Sequence, residues 1–331
     1  MDPLFTYYKT KQKNIFMKKR IITSILYLGT PFTYLSSAWL KFVKTRSNIT
    51  GNKIFMRLGI FPILDHYYQP LINPQKHLIK SLRDDRELGG IDLNTTEQLE
   101  LLSTFDYNLE LLKFPITRVN DNEFFYDNDS YRSGDAEYLY NMIRHFKPKR
   151  IIEIGCGYST LMARNAITLN EIDNSEYSCH HICIEPYEQP WLEKIKVELI
   201  RERVEFIDKS FFQKLESNDI LFIDSSHIIR PQGDVLFEFL ELLPTLKSGV
   251  LIHVHDIFTP KDYLDEWVYK KHYLWNEQYL LEAFLTFNSE FKIIGALNFL
   301  THNHFKELAE KCPVFAKQVG REPGAFWIVK K

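Results

Sequence analysis

Two acid–histidine pairs follow neighbouring runs of apolar residues. Asp224 and His227 follow the run Ile-Leu-Phe-Ile, and His255 and Asp256 follow the run Val-Leu-Ile-His-Val. The carboxyl ends of parallel strands meet at one edge of a sheet, so we expect these four side chains to lie close together. Carboxylates and imidazoles can hold a divalent cation or accept a proton from a substrate hydroxyl. The sequence therefore predicts a polar reaction centre at that edge.

A glycine-rich turn lies upstream, in the segment Arg-Ile-Ile-Glu-Ile-Gly-Cys-Gly-Tyr-Ser-Thr at 150–160. Its β-branched start predicts a buried parallel strand, and Gly155 and Gly157 predict a tight turn into a helix. Unpaired N–H groups and the positive dipole at a helix start favour nucleotide binding. Thr160 stands where a dinucleotide-binding turn has its third glycine, which argues against NAD.

Two carboxylates lie in or at the end of the strands beside this turn. Glu153 lies inside the first strand, where a buried carboxylate is costly unless it meets a cation. The ammonium of an amino acid would serve, and an internally satisfied glutamate is the alternative. Glu185 ends the second predicted strand, 180–184, where an acid can accept both ribose hydroxyls, unless it is only a solvated strand end. We expect Pro186 beside the adenine ring.

Glu153 with Gly155 and Gly157, and then Glu185, resembles the first two motifs of the class I S-adenosylmethionine-dependent methyltransferases. The chain is similar to uncharacterised bacterial members. The resemblance implies S-adenosylmethionine as the cofactor, with Glu153 near its methionine end. The cofactor-binding residues that it implies are Glu153, Gly155, Cys156, Gly157, Ser159, Glu185, Pro186, Ser210, Asp224 and Ser133.

Asp224 after the fourth predicted strand and Asp256 after the fifth resemble the acidic metal ligands of the metal-dependent O-methyltransferase branch of this family, in which an acid often stands at the position of His255. That resemblance implies Mg²⁺ or another divalent cation on Asp224, His255 and Asp256, where it would lower the pKa of an acceptor hydroxyl. In the metal-free alternative His227 is the general base and Asp224 the second catalytic residue, because imidazole titrates near working pH. We expect His253 to be structural.

The alternation of strand and helix patterns predicts an α/β, Rossmann-like fold. We expect a third strand at 203–208, and a reversed C-terminal hairpin formed by 291–300 and 325–329. The family resemblance then implies seven strands, five parallel and two reversed. Residues 1–50 read as a basic and apolar arm, 51–130 as a mostly helical extension that caps the substrate side, and 131–331 as the catalytic domain.

Composition and charge limit both the class of protein to which this chain can belong and the partners that it can bind. The 331 residues are 45% hydrophobic and 25% charged, which is typical of a globular chain. Residues 1–50 carry a net charge of +8, so the remainder carries −10. An acidic body argues against a nucleic-acid partner. Four cysteines without a paired framework indicate reduced thiols and a cytoplasmic protein, and we do not expect a metal cluster at 179–183.

The N-terminal arm combines basic blocks with uncharged, aromatic-rich sequence at 21–40. Its basic residues would attract anionic lipid while the apolar ones enter the lipid boundary, so 9–46 predicts peripheral contact with the inner face of the membrane. The alternative is that the arm packs on its own catalytic domain or on a second copy in a homo-oligomer.

Together these features predict O-methylation of a small-molecule, saccharide or lipid-linked hydroxyl. Two alternatives belong to other classes of activity. One is a partner subunit that binds the cofactor without catalysis. The other is a hydroxylase on the same fold, which would require iron and O₂.

Overall fold

A computed structural model describes residues 18–46, 49–120, 122–187 and 189–331. The chain divides into two compact units, residues 1–79 and 80–331. The boundary predicted at 130/131 falls inside the second unit, which also contains every candidate site residue. The three-part division of the chain stays a prediction.

The described part of the first unit contains helices separated by a long loop at 59–73. Residues 18–28 form a helix, followed by α1 (Thr30–Thr45), α2 (Ile49–Leu58) and α3 (Pro74–His77). Val43 is the one buried side chain of α1, and large apolar side chains such as Leu28 and Tyr34 are exposed. Among the described residues, no helix combines the length and apolarity needed to span a membrane. Membrane contact through 9–46 stays a prediction, and its residues 9–17 lie outside the described range.

A seven-stranded sheet organises the second unit. Its order is β3-β2-β1-β4-β5-β7-β6, with β7 antiparallel to both of its neighbours and the other pairs parallel. This confirms the Rossmann-like sheet of five parallel strands and a reversed hairpin. The strands are β1 (Arg150–Ile154), β2 (His180–Ile184), β3 (Glu198–Ile200), β4 (Ile220–Ile223), β5 (Leu251–Val254), β6 (Phe291–Ala296) and β7 (Phe326–Lys330).

Helices cover both faces of the sheet. The α-helices of this unit are α4 (Thr95–Ser103), α5 (Asn108–Leu111), α6 (Asp135–Phe146), α7 (Tyr158–Asp173), α8 (Asp234–Leu236), α9 (Glu277–Leu285), α10 (Leu297–Asn303) and α11 (Phe305–Lys311). A π-helix at Phe237–Leu242 continues α8, and a second one forms Glu266–Lys271. Short 3₁₀ turns lie at Pro190–Lys194, Val204–Phe206, Lys209–Lys214, Leu243–Thr245 and Phe315–Lys317.

The predicted third strand at 203–208 was wrong. The strand lies earlier, at Glu198–Ile200, where it pairs with β2 as the edge of the sheet. Val204 is buried in the core from within a 3₁₀ turn rather than from a strand. An apolar residue can fill the core from either conformation, so the hydrophobic pattern alone did not distinguish them.

Successive residues of β1 supply the two sides of the core. Ile151 packs in the layer that contains α6 and α7, whereas Ile152 and Ile154 pack in the opposite layer. Both faces of the parallel strands are therefore covered, as their near-continuous apolar sequence requires. By the same alternation Glu153 shares the face of Ile151.

The turn after β1 comes very close to the end of β4. Gly155 has φ +75°, and a Cβ at this position would lie 1.8 Å from the carbonyl oxygen of Asp224. The Asp224 N–H donates to the Ile154 carbonyl at 2.9 Å. Only glycine meets both requirements, a left-handed backbone and room for the neighbouring chain. Gly157 has φ −171°, and a Cβ there would meet no atom within 4 Å.

Gly155→Ala should therefore lower the free energy of unfolding by at least about 2 kcal/mol, because both backbone strain and the clash must be relieved. Gly157→Ala, two residues away, is the matched control and should change it by less than about 0.5 kcal/mol. Urea denaturation monitored by tryptophan fluorescence measures both. Equal effects of the two substitutions would contradict this account of the turn.

Candidate functional site

A cavity of about 680 Å³ opens above the glycine turn, at the carboxyl ends of β1, β2 and β4. It lies where open α/β sheets bind their ligands. Seven of the ten predicted cofactor-binding residues line it, whereas Glu153, Ser133 and Ser210 do not. The seven are Gly155, Cys156, Gly157, Ser159, Glu185, Pro186 and Asp224.

Glu185 connects the end of β2 to the glycine turn. Its carboxylate accepts from the Cys156 N–H at 3.3 Å and from the Tyr187 N–H at 2.9 Å. The side chain is 8% exposed and faces the cavity. A carboxylate held in this way at a strand end is suited to accepting hydroxyl donors. The residues present therefore fit a nucleoside bound across the turn.

Glu153 does not line the cavity, which differs from the sequence prediction. Its carboxylate accepts from Ser159 Oγ at 2.5 Å and lies 3.0 Å from His181 Nε2, and all three residues are buried. Burial lowers the pKa of His181, but Cys183 and Glu153 together raise it to about 9. Within the structure Glu153 thus meets the imidazole of His181, and its contact with the ammonium of a ligand stays a prediction.

Ser133 and Ser210 also lie away from the cavity. Ser133 is buried, and its hydroxyl donates to Gln318. Ser210 is exposed, and its N–H donates to Asp208 at 2.8 Å. The displaced third strand explains the second difference, because residues 203–205 form the cavity wall there instead.

His227 joins the polar residues that follow β4 and β5. Its Nε2 lies 3.4 Å from Asp224 Oδ1 and 3.5 Å from Asp256 Oδ2. Its Nδ1 lies 2.8 Å from Glu277 Oε2, which fixes the orientation of the ring. His227 and Asp256 have φ of +60° and +58°, a left-handed conformation that is uncommon for L-residues, although Asp and His adopt it more often than most. The residues of the predicted reaction centre thus lie together, with Glu277 as an additional neighbour, and their catalytic role stays a prediction.

Burial and contacts among the residues of this cluster shift their pKa values in different directions. Burial lowers the pKa of His227, but hydrogen bonds to Asp224 and Glu277 raise it well above its usual value. Burial raises the pKa of Asp256, and the histidines only partly offset it. Burial also raises the pKa of Asp224, but His255 and His227 bring it below its usual range. Groups with diverging pKa values are typical of acid–base sites.

A different trio from the predicted one converges on a single point. Asp224, His227 and Asp256 have ligand atoms within 4.8 Å of one another, and His227 takes the position predicted for His255. His255 Nε2 lies 3.4 Å from Asp256 Oδ1, at the side of the trio. Two carboxylates and one imidazole form a donor set that suits Mg²⁺ or Mn²⁺.

His253 lies in the core. It is 0% exposed and stacks on Phe222 with 4.1 Å between ring centroids. Burial lowers the pKa of His253 well below its usual value, so the ring is neutral. Its position and neutrality agree with the structural role expected from the sequence.

Glu277 was missed by sequence analysis. It lies 50 residues after His227, in the first turn of α9, where an acidic residue is ordinary helix chemistry. Its backbone N–H also donates to the His227 carbonyl at 3.2 Å. Only its burial, at 1% exposed, distinguishes it from a surface acid, and no local pattern signals that.

A second cavity, of about 540 Å³, adjoins the cluster. His255 and Asp256 line it, whereas Asp224 lines the first cavity. Ser130 lines both. The His227 ring therefore contacts one carboxylate from each cavity.

Two solved methyltransferase structures are similar to parts of the chain. One is described as a putative protein-L-isoaspartate O-methyltransferase beta-aspartate methyltransferase from Plasmodium falciparum in complex with S-adenosyl-L-homocysteine. It is 14% identical, covering 48% of this chain and 83% of that one, with a TM-score of 0.26. The other is a SAM dependent methyltransferase from Archaeoglobus fulgidus, 15% identical, covering 59% of this chain and 94% of that one, with a TM-score of 0.28.

Comparisons of sequence identify the family to which the chain belongs. Residues 152–257 match the family described as "Methyltransferase domain". An Archaeoglobus fulgidus protein described as "Uncharacterized protein" is 32% identical over 194 residues, which is 55% of this chain and 86% of the relative. The family match spans the glycine turn, the acid at the end of β2 and the acid–histidine cluster, which are the features that the resemblance used. The chain belongs to the class I S-adenosylmethionine-dependent methyltransferase family.

Proposed function

We propose that this methyltransferase transfers the methyl group to a hydroxyl oxygen of its acceptor, with His227 as the residue that takes the hydroxyl proton. The observation that carries the proposal is the position of His227 Nε2 between Asp224 and Asp256, with Nδ1 held by Glu277. S-adenosylmethionine supplies an activated methyl group. The protein must then align the acceptor and remove a proton.

The proposed step is a direct displacement. The acceptor oxygen forms a bond to the methyl carbon as the carbon–sulfur bond breaks, and the hydroxyl proton passes to His227 in its neutral form, which the raised pKa of this residue populates only towards higher pH. The products are a methyl ether and S-adenosylhomocysteine. Glu277 stabilises the imidazolium that results, and Asp224 and Asp256 add negative potential around it.

A divalent cation on Asp224, His227 and Asp256 is the alternative form of the same proposal. Bound there, it would lower the pKa of the acceptor hydroxyl. The two forms differ in one measurable respect, which is the effect of EDTA on turnover. Loss of turnover in EDTA and its return with Mg²⁺ or Mn²⁺ would select the metal form.

Glu185→Gln should weaken S-adenosylmethionine binding about tenfold or more, because one anionic acceptor for the ribose hydroxyls is lost. Glu153→Gln should change the Kd less than about threefold but lower the melting temperature, because His181 loses its buried anionic partner. Isothermal calorimetry and thermal unfolding measure the two effects. A larger loss of affinity in Glu153→Gln would restore its predicted contact with the cofactor.

His227→Asn should lower S-adenosylhomocysteine formation about 100-fold or more while the Kd for S-adenosylmethionine stays within about twofold. A panel of phenols, methyl glycosides and lipid-linked sugars serves as acceptors, with His180→Asn, exposed and outside both cavities, as the control. Unchanged turnover in His227→Asn would exclude this residue as the base. Cofactor binding without turnover on any acceptor would favour a non-catalytic subunit. A requirement for iron and O₂ would instead indicate a hydroxylase.

Glu277→Gln should lower the pKa of His227, because a charge-assisted hydrogen bond to the imidazolium is lost. The neutral, proton-accepting form of His227 is then populated at lower pH. NMR of ¹³C-labelled histidine in the presence of EDTA follows this titration directly. Glu290→Gln, on the exposed surface, is the matched control. An unchanged pKa of His227 in Glu277→Gln would contradict the hydrogen bond between these two residues.

A further inference from the structure

The second cavity and the cofactor cavity share Ser130, and each is lined by one of the two carboxylates that flank the buried ring of His227. Asp224 belongs to the first, Asp256 to the second, and His227 Nε2 lies within 3.5 Å of a carboxylate oxygen of each. A molecule in the second cavity would therefore present its atoms to the cofactor beside His227. Displacement at the methyl carbon needs the acceptor on the side opposite to sulfur, and two adjoining cavities can provide that arrangement.

The charges of the second cavity exclude some kinds of acceptor. Six carboxylates line it against three cationic side chains. Arg321 lies 2.5 Å from Asp135, and Arg132 lies 3.8 Å from Asp127. The carboxylates in excess would repel a phosphate or a carboxylate on the acceptor.

The same ion pairs suit hydroxyl groups. A hydroxyl donates one hydrogen bond and accepts others, so neighbouring carboxylate and guanidinium groups can bind it from both sides. Trp267 adds an aromatic surface to this polar lining, in T-shaped contact with Phe258 at 5.3 Å. Polar edges together with one aromatic wall match a ring that has hydroxyls at its rim and C–H groups on its face.

His255 provides an observation that is independent of these charges. It is 3% exposed and lines the second cavity, and its Nδ1 has no hydrogen-bond partner among the described residues. A buried ring nitrogen without a partner is costly unless a ligand or water supplies one. Tyr131 holds the ring from the other side, with 4.9 Å between centroids.

We propose that the second cavity is the acceptor site and that it takes a neutral, polyhydroxylated ring of the pyranose type. The inference rests on the proposed function, because one ring hydroxyl must reach His227. That hydroxyl loses its proton to His227 Nε2 as its oxygen bonds to the methyl carbon and the carbon–sulfur bond breaks. The products are a sugar methyl ether and S-adenosylhomocysteine.

Saturation-transfer NMR on the full chain with S-adenosylhomocysteine tests the site. The probes are methyl glycosides of glucose, mannose, galactose and rhamnose, with choline and glycerol 3-phosphate as the cationic and anionic probes. At least one glycoside should show saturation of its ring protons. Trp267→Ala should reduce that signal about tenfold, since it removes the aromatic wall. Arg132→Gln, at a side chain that is 46% exposed, should reduce it without a risk to folding.

Phe287→Ala is the matched aromatic control, because Phe287 is 86% exposed and lines neither cavity. It should leave the glycoside signal unchanged. A signal from choline or glycerol 3-phosphate alone, or glycoside signals that survive both Trp267→Ala and Arg132→Gln, would overturn the proposal. So would the absence of every signal while S-adenosylhomocysteine binds, a result that leaves the proposed function intact. Failure to bind S-adenosylhomocysteine would instead refute the proposed function.

Discussion

The contact between the turn after β1 and the end of β4 is the constraint on which the rest of the site depends. Gly155 lies so close to the Asp224 carbonyl that no side chain fits, and its N–H donates to the Ile184 carbonyl at 3.0 Å. Backbone atoms therefore join the ends of three strands. The glycine turn, Glu185 and Asp224 take fixed relative positions from that junction, without relying on flexible side chains.

The structure contains two buried clusters of charged side chains, one around Glu153 and one around His227. They differ in how completely opposite charges compensate each other. Glu153 has His181 and Ser159 as partners, so one carboxylate meets one cation and one hydroxyl inside the core. Burying such a pair costs desolvation, but removing either partner would leave the other without compensation inside the core. Around His227 several carboxylates share the imidazole, and the pKa of Asp256 rises while that of Asp224 falls. Shifted pKa values of this kind, in residues that line a cavity, are typical of functional sites.

The sheet, the glycine turn and the acids at strand ends could be predicted from the sequence, because parallel strands impose both apolar runs and a common ligand edge. It could not reveal the partner of Glu153. The register that pairs Glu153 with Cys183 brings His181 onto the same face, and register is a tertiary property. Glu277 was hidden for a similar reason, because its burial depends on where α9 begins relative to His227. The third strand was misplaced because Val204 fills the core from a turn.

These differences have a common physical origin. Patterns with a period of two or 3.6 residues report which side chains are buried, but not which buried polar groups meet. Which buried polar groups contact each other is decided by the packing of elements distant in sequence, as when α9 brings Glu277 against His227. Methyl transfer makes this dependence strict, because the protein contributes alignment and proton removal rather than covalent chemistry. An imidazole fixed at Nδ1 by one distant helix, with Nε2 between the ends of two strands, can supply both.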